Sequence, residues 1–99
     1  MTKYQYQEIS SNICGGVDGN HSEIIKYVLR RVGDTAAAID AGDRDYNLID
    51  MSFSYLNDKN FSIYMIFDVY YFDKDSTIRI QYNFTVVNDE CIKDEGVII

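Results

Sequence analysis

The stretch Phe61-Ser62-Ile63-Tyr64-Met65-Ile66-Phe67-Asp68-Val69-Tyr70-Tyr71-Phe72 decides the fold. Phe61, Ile63, Met65, Phe67, Val69 and Tyr71 recur at every second position, the period that places side chains on one face of a strand. Tyr64, Ile66, Asp68, Tyr70 and Phe72 occupy the other face. The run therefore predicts a strand over 61–72 with one apolar face and one aromatic face that carries a carboxylate.

The same period extends to both sides. Ile49, Met51, Phe53 and Tyr55 alternate with Asp50, Ser52 and Ser54, predicting a strand over about 46–56. Ile78, Ile80, Tyr82, Phe84 and Val86 alternate with Thr77, Arg79, Gln81, Asn83 and Thr85, predicting another over about 76–88. The spacers Asn57-Asp58-Lys59-Asn60 and Asp73-Lys74-Asp75 have turn chemistry, so the three long strands read as an antiparallel β-meander. Upstream the period becomes helical. Ile24, Ile25, Val28, Leu29 and Val32 define an amphipathic helix over about 22–32, with Asn20 or Ser22 as its N-cap. Gly33 is expected to end it, and Asp34 to cap a short second helix over about 35–41, closed by Gly42. Tyr4 to Ile9 suit a short strand and Ser10 to Asn20 a loop. Residues 88–96 read as an acidic loop before the apolar tail Val97-Ile98-Ile99, which is expected to add a short edge strand or plug the sheet edge. The fold class is α+β in a single domain over 1–99, its core made by packing the inner strand faces under the helix.

Composition narrows the function. At 99 residues with a hydrophobic fraction of 46%, nine Tyr and five Phe, the chain is too apolar to stay disordered. Its apolar runs are too short to cross a bilayer. A formal charge of -7 repels phosphate backbones and anionic lipid, so neither direct nucleic-acid nor membrane binding is expected. No apolar run of signal-peptide length follows the first residues, which predicts a cytoplasmic protein with Cys14 and Cys91 as reduced thiols. In that setting the glycosylation patterns Asn60-Phe61-Ser62 and Asn83-Phe84-Thr85 have no chemical meaning.

No motif specifies catalysis. Asp40-Ala41-Gly42-Asp43-Arg44-Asp45-Tyr46-Asn47 opens like a calcium loop, but Leu48 falls where the turn glycine belongs and Ser54 where the bidentate glutamate belongs. A solvated helix-to-strand turn is the better reading. His21 beside Ser22 has no third group to orient it, and Cys14-Gly15-Gly16 lacks the lysine of a phosphate loop. One His and two separated Cys do not supply a tetrahedral zinc site. No cofactor, metal or enzymatic activity is expected. Asp50 and Asp68, outward on neighbouring strands, are expected to approach each other, a like-charged pair that suits partner binding as well as catalysis.

Charge is unevenly spread. Residues 1–33 hold three acids and four bases, a net of +1, whereas residues 34–99 hold thirteen acids and five bases, a net of -8. That negative field coincides with the aromatic strand face, which an isolated monomer does not ordinarily leave exposed. The expected function is that of a small inhibitor of immunity type, masking a basic protein such as a nuclease toxin. Carboxylates would steer the encounter and tyrosines would supply affinity. The candidate partner-binding residues are Asp43, Asp45, Asp50, Tyr64, Asp68, Tyr70, Phe72, Asp73 and Asp75. Two alternatives use the same features: an anti-defence DNA mimic of phage type, and a ligand-binding or enzymatic homodimer. In the homodimer Tyr55, Tyr71 or Tyr82 would line a pocket between helix and sheet, with Asp68 acting on the ligand.

Overall fold

The computed structural model describes residues 22–99. The expectations for Tyr4 to Ile9, Ser10 to Asn20, Cys14, His21 and the capping side chain of Asn20 or Ser22 lie outside the described residues. One helix, α1 (Ser22–Ile39), is followed by β1 (Arg44–Asn57), β2 (Asn60–Tyr71), β3 (Ser76–Val87) and β4 (Glu90–Ile98). The strands form one sheet in the order β1-β2-β3-β4, and every neighbouring pair is antiparallel. This is the α+β meander that the alternating pattern predicts. Among the described residues no helix is long and apolar enough to cross a membrane.

The core lies between α1 and the inner sheet face. Ile25, Val28, Leu29, Val32 and Ala36 of α1 meet Ile63, Met65, Phe67, Val69 and Tyr71 of β2 and Ile80 and Tyr82 of β3, all at most 2% exposed. Each large side chain so buried contributes roughly 1.5–3 kcal/mol, and β2 supplies the most because its inner face is buried from Ile63 to Tyr71.

Three local readings need correction. The helix does not stop at Gly33, and 35–41 is not a second helix. A mid-helix glycine costs only about 1 kcal/mol, and continuing buries Ala36 completely. It also lets Thr35 Oγ1 donate to Arg31 O at 2.9 Å and Tyr71 OH donate to Ala36 O at 2.8 Å. The chain leaves the helix at Asp40, whose Oδ1 accepts from Gly42 N at 2.8 Å. Second, Ile49 does not face the core. A β-bulge between Leu48 and Asp50 inserts Ile49 as an extra residue, 43% exposed, so that Leu48 before it and Met51 and Phe53 after it share the inner face despite opposite parity. Third, the acidic segment is the strand β4, and the apolar tail extends it without being buried: Val97 and Ile98 stay 48% and 55% exposed.

Gly33 offers a direct check on the continuous helix. No described glycine has a positive φ, and nothing lies within 4 Å of a β-carbon added at Gly33. Gly33→Ala is therefore expected to raise the unfolding free energy by about 0.5–1 kcal/mol, measured by urea denaturation. A loss of stability would mean that the helix is interrupted there.

Candidate partner-binding face

The sheet turns its second face away from α1. Cross-strand register sets what meets on it: Asp45 lies opposite Tyr70, which lies opposite Thr77, and Asn47 lies opposite Asp68, which lies opposite Arg79. Asp45, Asn47, Asp68, Tyr70 and Thr77, with Tyr46 beneath, line a shallow hollow of about 240 Å³.

Two interactions hold its floor rigid. Asp68 accepts from Arg79 Nε at 2.8 Å and Nη2 at 3.1 Å, a bidentate pair. The bond from Arg79, against the opposing effect of burial, holds the Asp68 carboxyl below its usual range. Tyr70 OH donates to Asp75 Oδ1 at 2.6 Å, which raises the Tyr70 phenol above its usual value. Asp75 reaches it from the β2–β3 turn, where its backbone sits in the left-handed region at φ 45°. The Tyr70 and Phe72 rings meet edge to face at 5.1 Å, and Phe72 is 54% exposed.

The rim carries further charge. Phe72 N donates to Asp43 O at 3.1 Å, joining the start of β1 to the β2–β3 turn. Asp73 packs against Gly42, where any β-carbon would collide with its carboxylate. Lys74 reaches back to Asp40 at 3.3 Å, and Arg44 Nη1 donates to Asp40 O and Gly42 O at 3.2 and 2.8 Å, so these two cations are spent on the turn after α1. The bond from Gly42 N leads the effects that lower the Asp40 pKa.

The structure thus gathers Asp45, Asp68 and Tyr70 in the hollow, with Asp43, Phe72, Asp73 and Asp75 at the same end of the sheet. Asp50 and Tyr64 lie farther along the same face, opposite Ile66 and Ser52 respectively. Asp68 meets Arg79 rather than Asp50. That partner was legible: once the Phe72–Asp75 turn pairs Tyr71 with Ser76, counting back places Arg79 opposite Asp68.

A second constellation escaped the sequence reading because 88–96 did not read as a strand. Both Asp94 carboxylate oxygens are occupied, one by Tyr27 OH and the other by Tyr82 OH. Arg31 Nε donates to Tyr82 OH at 3.0 Å and lies 3.7 Å from Asp94 Oδ1. Burial acts to raise the Asp94 carboxyl, but the two phenols and Arg31 outweigh it and the pKa falls below its usual value. With its acceptors filled, this cluster ties β4 to α1 and β3. Tyr71 and Tyr82 are buried and spend their hydroxyls on such internal bonds. Among the described residues no group of three or more His, Cys, Asp or Glu is placed to hold a metal ion. Comparison with protein-family models, curated proteins and solved structures finds no match.

Proposed function

We propose that the chain is a cytoplasmic inhibitor of immunity type that binds a basic protein, such as a nuclease toxin, through the outer sheet face and blocks its substrate surface. The observation that carries this reading is the hollow of Asp45, Asp68 and Tyr70, with Phe72 beside it, on a face that α1 leaves uncovered. Carboxylates at its rim attract a cationic surface, and rings already fixed by Asp75 and by each other bind with little further loss of freedom.

The test compares the protein with the Asp68→Ala/Tyr70→Ala variant. Both side chains lie outside the core, so the variant is expected to lose no more than about 1–2 kcal/mol of unfolding free energy and to remain cooperatively folded. Each is immobilised and exposed to host extract, and the basic proteins retained are purified, titrated at low and high salt, and assayed for nuclease activity. A nuclease inhibited by the parent and bound about tenfold more weakly by the variant supports the reading. Equal retention by both proteins, or no basic protein retained by the parent, overturns it.

A further inference from the structure

β4 is attached in an unusual way for a strand of nine residues. None of its side chains is buried, and only Asp94 and Gly96 are even half-buried. The hydrophobic effect, which fixes α1 to β2 and β3, therefore contributes little to holding β4. Its pairing with β3 is instead supplemented at two positions. Asp94 receives the hydroxyls of Tyr27 and Tyr82 and faces Arg31. Gly96 lies so close beneath α1 that an added β-carbon would stand 3.0 Å from Thr35 Oγ1 and 3.1 Å from Tyr82 Cδ2. The slot beside β3 thus selects a strand with a carboxylate at one position and no side chain two residues later. The turn leading into β4 contains no glycine, although Asn88 and Asp89 both sit at positive φ, 52° and 66°. Asn and Asp adopt this conformation more readily than other non-glycine residues, so the two-residue hairpin closes without glycine.

We propose that β4 is an exchangeable strand: it opens as a unit while α1 and β1–β3 stay folded, and the vacated slot on β3 accepts β4 of a second copy. The second copy is the fitting occupant because its own Asp94-Glu95-Gly96 meets both requirements of the slot. Exchange involves the sheet edge rather than the outer face, so it stands independently of the inhibitor reading.

Native-state hydrogen exchange on the full chain is the first measurement. The amides of β4 are expected to exchange roughly a hundredfold faster than those of β2. The second measurement adds a fluorescein-labelled peptide of residues 90–99 to the full chain and follows its anisotropy. Uptake of the native peptide is expected, with none for the Gly96→Val or Asp94→Ala peptide. The third is native mass spectrometry of mixed light and heavy-isotope chains after incubation at high concentration, where mixed dimers are expected. Protection in β4 equal to that in β2, uptake that is absent or indifferent to either substitution, or a chain that stays monomeric throughout would each overturn the proposal.

Discussion

Phe67→Ala is expected to lower the unfolding free energy by about 3–5 kcal/mol, a large part of the roughly 5–15 kcal/mol available to a domain of this size. Phe67 is 0% exposed at the middle of β2, opposite Leu48 on one side and Ile80 on the other. Its ring meets Tyr46 edge to face at 6.4 Å and 87°. Truncation removes the apolar area and the ring contact and leaves a cavity that two flanking strands and α1 cannot close together. Urea denaturation followed by circular dichroism should show a lower midpoint with the slope retained. Phe72→Ala is the matching control, because Phe72 is 54% exposed and its loss should cost little stability. A loss below about 1 kcal/mol at Phe67 would mean that the sheet does not bury the face described here.

Raising the pH from 10 to 12 is expected to remove about 2 kcal/mol of stability through Tyr82. Burial first, and then the hydrogen bond to Asp94, push the Tyr82 phenol up from 10.0 to about 12. The unfolded chain therefore releases this proton at lower pH than the folded one. The contribution is complete below pH 10 and is lost as the pH rises through the folded value near 12. Tyr27, Tyr70 and Tyr71 are also raised and act in the same direction. In Tyr82→Phe the alkaline decline should flatten, although the variant starts less stable because Asp94 and Arg31 lose a partner. An unchanged alkaline profile would count against the buried position of this hydroxyl. The acid limb has the opposite sign. Asp40, Asp68 and Asp94 all titrate below the ordinary 3.8, so their contribution is present above that value and is lost as the pH falls through their lower folded values.

What the sequence made legible follows from which forces act locally. The strands β1, β2 and β3 were readable because burying one face imposes a period of two, most clearly in Ile63, Met65, Phe67 and Val69. The passage through Gly33 was not, because the compensating gains at Ala36 and Tyr71 arise from tertiary packing. The outward position of Ile49 has no sequence signal, because a bulge shifts parity without changing composition. β4 was opaque for a different reason: a strand held by ladder bonds, one carboxylate and one glycine has no apolar rhythm to reveal it. At the candidate site, the outward position of Asp68 and Tyr70 was readable from the period alone. The bridge from Tyr70 to Asp75 depends on the backbone path of a turn and was not.

The two turns at the opposite end of the sheet from Asp68 and Tyr70 are joined directly. Asp89 N donates to Lys59 O at 2.8 Å, and Asn88 N donates to Asn60 Oδ1 at 3.0 Å. These bonds link the β1–β2 hairpin to the β3–β4 hairpin, although β1 and β4 lie at opposite edges. In the proposed exchange β4 would therefore swing on a tethered hinge, releasing the bond from Ile99 N to Arg79 O at 3.0 Å at its far end while Asn88 and Asp89 stay held.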